Sequence, residues 1–366
     1  MKNKNIALVI VIVLILIAIY FLQSLNVKNT NSNKVQELAI TSNSSADNNR
    51  GKILINKENK YPKAVELVDP NGYININNIT IKELIGKKVI LVDFWTYSCI
   101  NCIRTIPYIN SWYEKYKDQG LEIIGVHSPE FEFEKDYSNV LRAVQKFGIK
   151  YPVVQDNNHY TWEAYKNNYW PRKYLIDIDG YIVYDHIGEG DYSETEQKIQ
   201  DLLLERSKVL GENIEMNKTV LTQESTFDFT KIRTPEIYFG WGFFRGNFGN
   251  KEGLSPNNIV NYTLPIKLEK NSLYLEGNWK NNLDNMELVN SNGKVVLIYD
   301  AKIANIVASA TDSVKVDVLL DNNYHKTINI SGSELYSAAT ADDYGIHKIE
   351  ININSPGFKI YTFTFG

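Results

Sequence analysis

The only thiols in this 366-residue chain are Cys99 and Cys102, with two residues between them. Thiols one helical turn apart do chemistry as a pair. One attacks a disulfide as a thiolate, and the other displaces the mixed disulfide that results. A zinc site would need two more ligands, yet His127, His159, His186, His325 and His347 are scattered without metal-site spacing. A purely structural disulfide across so short a loop would constrain the unfolded chain little. The pair is therefore read as chemistry, with no cofactor beyond the Cys99–Cys102 disulfide and no metal.

The flanking sequence says how the pair is held. Lys88 to Trp95 is an apolar, β-branched run suited to a strand covered on both faces. Ile103, Ile106, Tyr108, Ile109 and Trp112 then follow at helical spacing. Cys99 thus stands where a strand turns into a helix, and the unpaired amides and axial dipole there favour a thiolate. Cys102, a turn further in, is placed to resolve the mixed disulfide. Asp93 has two readings, a hydrogen-bonded core carboxylate or a desolvated acid that takes the Cys102 proton during resolution. We favour the second.

Asp93 lies six positions before Cys99 and Pro107 five after Cys102, and this spacing resembles the carboxylate and helix proline that thioredoxins set around Cys-x-x-Cys. Val92-Asp-Phe-Trp-Thr-Tyr-Ser-Cys-Ile-Asn-Cys102 resembles more narrowly the TlpA/DipZ type of membrane-anchored, extracytoplasmic thioredoxin. Some relatives carry an acid three residues after the second cysteine, where this chain has Thr105. The resemblance implies an α/β thioredoxin fold of TlpA-like form over residues 61–207. Its features are an opening hairpin (Ala64 to Val68, Tyr73 to Ile76), an inserted helix, an Asp179-Gly180 hairpin and a closing helix from Ser193 to Arg206. It also implies a cis-proline at Trp170-Pro171 beside the disulfide, with Trp170, Pro171 and Trp95 forming the substrate surface. Arg172 reads as a surface charge. His127 and the following Ser-Pro-Glu-Phe shape a loop rather than supply a base. A thiol peroxidase is the rival within the superfamily. Thr96 and Cys99 echo its threonine and peroxidatic cysteine, but its expected proline is replaced by Val92.

Ahead of this domain, Ile6 to Leu22 is an apolar run of about 17 residues, the lower limit for a membrane span. No small-residue cleavage site follows closely, and Lys2 and Lys4 favour a cytoplasmic N-terminus. The expectation is an uncleaved anchor over residues 1–25, a polar tether over 26–60, and domains outside the cytoplasm at the cell membrane. A formal net charge of -4 argues against nucleic-acid binding.

After a polar stretch over 208–230 the pattern becomes all-β to residue 366. Its runs include Val295 to Tyr299, Val314 to Leu320, Ile346 to Ile353 and Phe358 to Phe365. Their spacing predicts a two-sheet jelly-roll sandwich. Tyr361-Thr-Phe-Thr-Phe-Gly366 resembles the end of the DipZ C-terminal domain, which is similar to a carbohydrate-binding module. The aromatic-glycine run from Tyr238 to Phe248 is expected to seal the join between domains rather than stack on glycan. The resemblance implies protein disulfides as substrates and a CcdA-type membrane electron donor, with cell-wall glycan a further possible partner. The function expected is reduction or isomerisation of protein disulfides. The alternatives are the peroxidase and a wall- or partner-binding protein that uses the thioredoxin fold as scaffold.

Overall fold

The computed structural model describes residue 54, residues 56–215 and residues 228–366. The apolar run Ile6 to Leu22 lies outside the described residues. Among those described, no helix is long and apolar enough to cross a membrane. The tether expected to reach residue 60 ends earlier, because residues 56–60 are helical. Lys57 there reaches Asp177 at 2.7 Å and Asp179 at 2.9 Å. These two acids and Glu205 form the one carboxylate group among the described residues close enough to hold a cation, and the Lys57 ammonium contacts all three.

Residues 72–210 carry β1 (Gly72–Ile74), α1 (Ile81–Leu84), β2 (Val89–Trp95), α2 (Ile100–Tyr116), β3 (Leu121–His127) and α3 (Tyr137–Lys146). β4 (Val153–Gln155), α4 (Tyr160–Ala164), β5 (Arg172–Ile176), β6 (Ile182–Ile187) and α5 (Tyr192–Leu210) follow. The six strands form one sheet in the order β1-β4-β3-β2-β5-β6, with β2 parallel to β3 and antiparallel to β5. Every residue of β2 is buried, as its continuous apolar run requires. Val89, Leu91 and Trp95 face the cluster that holds Cys102, Ile106, Ile109 and Trp112. Alternation along the strand therefore turns Asp93 toward the same side.

The expected opening hairpin does not form. β1 pairs with β4 instead, and the backbone of 65–68 is met by side chains: Tyr165 Oη donates to Val65 O at 2.8 Å, and Val68 N donates to Thr161 Oγ1 at 2.9 Å. α2 contains Pro107, which costs one backbone hydrogen bond. Fully buried Ile109, Trp112 and Tyr116 offset that, at roughly 1.5–3 kcal/mol for each large apolar side chain.

Residues 237–365 are all β. The short strands are β7 (Ile237–Tyr238), β8 (Asn247–Phe248) and β9 (Ile259–Tyr262). β10 (Ser272–Asn281), β11 (Met286–Leu288), β12 (Gly293–Asp300), β13 (Ile303–Ala310) and β14 (Val314–Leu320) come next, then β15 (Asn323–Ile330), β16 (Glu334–Thr340), β17 (Ile346–Ile353) and β18 (Phe358–Phe365). They form one twelve-stranded sheet curled into a near-barrel, where two separate sheets were expected. The reason lies in β10. Leu273 to Glu276 pair with β12, while Gly277 to Lys280 pair with β9. The strand crosses between the layers at Gly277, whose φ of +102° and whose missing Cβ, 2.6 Å from Asn292 O, no other residue type would match.

Candidate active site at Cys99 and Cys102

Cys99 caps the N-terminus of α2. Its backbone is extended (φ -75°, ψ 118°), and its Sγ accepts a hydrogen bond from the Cys102 amide at 3.4 Å. A side chain at this position normally accepts through oxygen, and here sulfur takes that place. Cys99 is half-buried, while Cys102 is 2% exposed, so only Cys99 is open to a partner. Burial, then the contact with Cys99 and the nearby Asp93, push the Cys102 thiol well above its ordinary pKa. Brief iodoacetamide treatment of the reduced chain at pH 8 should therefore alkylate Cys99 and leave Cys102 free. Peptide mapping that finds both labelled equally would contradict this arrangement.

Asp93 is 1% exposed, and burial raises its pKa to about 7 against the opposing pull of Lys173. Lys173, which sequence reasoning missed, lies directly opposite Asp93 in the β2–β5 register. It is fully buried, its Nζ donates to Gly188 O at 2.9 Å, and burial lowers its pKa. A sequence signal existed: Lys173 lies two residues before core Leu175 on one strand and so shares its face. Tyr151 was also missed. It is fully buried, and burial together with Asp93 and Cys102 opposes its ionisation.

The loop before Cys99 is fixed residue by residue. Thr96 is fully buried, with Oγ1 3.4 Å from His127 Nε2. Burial lowers the His127 pKa to about 3, so its ring is neutral packing between Trp95 and Tyr97. Ser98 Oγ donates to Glu134 at 2.6 Å, a link that sequence reasoning also missed.

On the open side, the Trp170–Pro171 peptide is cis, and Cys99 Sγ lies 4.0 Å from Trp170 O. Trp170 is held by its Nε1, which donates to Ser128 O at 2.9 Å, and by Trp162, whose ring is 4.2 Å away. Arg172 pairs with Asp185 at 2.7 Å over the Tyr174 ring. Trp95 corrects an expectation. It is fully buried against His127, edge to face at 5.1 Å, and cannot be part of a substrate surface. The β domain supplies a wall that sequence reasoning did not foresee. Phe229, Ile232, Thr234 and Phe365 face Asn101 and Glu189 across a cavity of about 350 Å³. From the aromatic-glycine run, Tyr238 and Phe243 pack against Phe131, while Trp241 stays 37% exposed.

A helix-capping thiol, a buried second thiol and this sheet order define a thioredoxin-like fold built around a pair of thiols. Residues 56–203 match the redoxin family, and residues 234–366 match the family described as a thioredoxin-like C-terminal domain. The chain is a homologue of the DipZ proteins. It is 35% identical to Protein DipZ of Mycobacterium tuberculosis over 307 residues, 83% of this chain and 43% of that protein. It thus spans less than half the length of these relatives. It is 29% identical to thiol-disulfide oxidoreductase YkuV of Bacillus subtilis, covering 38% of this chain and 93% of that one. With thiol-disulfide oxidoreductase ResA of Bacillus thuringiensis it shares 34% identity, covering 34% of this chain and 66% of that one.

Proposed function

We propose that this thioredoxin-family oxidoreductase reduces or isomerises disulfides of extracytoplasmic proteins, anchored to the cell membrane by its N-terminal segment. The observation that carries this reading is the asymmetry of the pair, with Cys99 half-buried at a helix N-cap and Cys102 sealed behind it. The Cys99 thiolate attacks a substrate disulfide, forming a mixed disulfide and releasing one substrate thiolate, which takes a proton. Cys102 passes its proton to Asp93 and displaces the second substrate thiolate. The protein leaves oxidised at Cys99–Cys102 and the substrate reduced by the same two electrons. The backbone of Trp170, beside Cys99 Sγ, offers an edge on which an extended substrate segment can pair.

A CcdA-type membrane carrier is the donor proposed to return the pair to the dithiol. Ile100 and Asn101 bring no charge between the cysteines, so neither of them over-stabilises the reduced form. The pair should therefore equilibrate near the thioredoxin value of about -270 mV rather than the about -120 mV of the strongest oxidants. Equilibration with glutathione mixtures tests this, and a midpoint above about -180 mV would reverse the direction of the reading. The peroxidase alternative finds no support in Thr96, which is fully buried and turned to His127.

A further inference from the structure

We infer that the C-terminal β domain is a working part of the redox site: it holds the loop that carries Cys99, and Glu134 is the positioning residue through which it does so. The inference rests on the exchange reading above and adds a role for the second half of the chain. Glu134 lies in the single 3-10 turn Glu132–Lys135 between β3 and α3 and is fully buried. One carboxyl oxygen accepts from Ser98 Oγ at 2.6 Å and Ser98 N at 3.4 Å. The other accepts from Glu130 N at 2.6 Å and Phe131 N at 2.9 Å. One side chain thus ties the residue before the nucleophile to the 130–134 segment.

That segment is in turn fixed by the β domain. The Phe131 ring lies 5.1 Å from Tyr361 and 6.3 Å from Tyr238, and the Phe133 ring meets Tyr361 edge to face at 4.7 Å. Val307 and Leu335 close the same apolar cluster. A second tie needs no intermediary: Tyr97 Oη donates to Ser333 O at 3.0 Å, while its ring stacks on His127. Both residues that lead into Cys99 are therefore set by the β domain, Tyr97 directly and Ser98 through Glu134. Residues 56–203 alone keep the carboxylate but lose the aromatic platform that fixes its turn.

The test uses the full chain, reduced, and the rate constant for reaction of Cys99 with 5,5′-dithiobis(2-nitrobenzoate). This disulfide is too small to need recognition by the β domain, so its rate reports the loop. Ser98→Ala and Glu134→Ala should each slow it about tenfold, the size expected for one hydrogen bond to a carboxylate. The double variant should be no slower than the worse single one, because both changes break the same link. Glu134→Gln keeps one accepting oxygen but sets its NH2 against either the Ser98 amide or the Glu130 and Phe131 amides, so it should recover only part of the rate. Tyr361→Ala, a change confined to the β domain, should slow the same reaction at least threefold. If the wild-type chain reacts while Ser98→Ala and Tyr361→Ala stay within twofold of it, the positioning role is wrong and the exchange reading stands. If Cys99 of the wild-type chain does not react at all, both fall.

Discussion

Cys99→Ser should reduce turnover of protein disulfides to the uncatalysed background. A serine hydroxyl does not ionise near neutral pH, and the thiolate is the nucleophile in exchange. No neighbour can stand in for it. Ser98 gives its hydroxyl to Glu134, and Cys102 is buried with its thiol held protonated. Cys102→Ser behaves differently: the first attack survives, resolution does not, and the chain stops on its first substrate. Pre-reduced chains, freed of other reductant and mixed with insulin, separate the two variants by a single-turnover burst of released thiol, present in Cys102→Ser and absent in Cys99→Ser. A burst in Cys99→Ser would reverse the assignment of nucleophile.

Asp93→Asn should make the chain more stable and a slower catalyst, with both effects depending on pH. The folded Asp93 pKa of about 7 is raised by burial from an unfolded value of roughly 3.9. The folded state therefore holds a proton that the unfolded state releases first. Stability is lost as pH rises from about 4, and the loss levels off above about 7 at roughly 4 kcal/mol. Asparagine carries no such cost. The midpoint of thermal unfolding should rise on the order of 5 °C at pH 8, with almost no change at pH 4.5. His127 contributes with the opposite sign. Its folded pKa of about 3 lies below its unfolded value of roughly 6.5, so its stabilisation is lost as pH falls through that window. Both chains share this loss, so it cancels in the comparison. Turnover of Asp93→Asn should fall on the order of 10²-fold at pH 8, the low end for a missing proton acceptor. An equal stability gain at both pH values would show that Asp93 does not titrate as described.

The chemistry was legible wherever it lay in short-range pattern. The strand-to-helix junction, the cysteine pair, Asp93 and the turn into Pro171 occupy fixed spacings, and a strand run followed by a helical period puts them at one place. What escaped depended on contacts between distant segments. Glu134 and Ser98 are 36 residues apart and meet only because β2 and β3 are neighbours. Lys173 looks like an exposed strand lysine until the Asp93 register pairs it inward. Trp95 was misassigned because an aromatic residue at a strand end reads equally as cleft or core, and packing on His127 decided for core. In the β domain most strands were legible from alternation, but the continuity of the sheet was not, since it turns on one glycine inside β10.

The β domain also changes how the catalytic half should be pictured. Its Phe229, Ile232 and Phe365 face Asn101, one of the two residues between the cysteines, and its Ser333 receives the hydroxyl of Tyr97. The surroundings of the cysteine loop are thus built from both halves of the chain.

The most direct test of this account is capture of the mixed disulfide. Reduced Cys102→Ser protein is mixed with an oxidised protein substrate, quenched with acid, and resolved without reductant. A one-to-one adduct that dithiothreitol dissolves is expected, with mass spectrometry placing the bond at Cys99. No adduct with Cys102→Ser, or an equal yield of adduct through Cys102 in the Cys99→Ser chain, would contradict it.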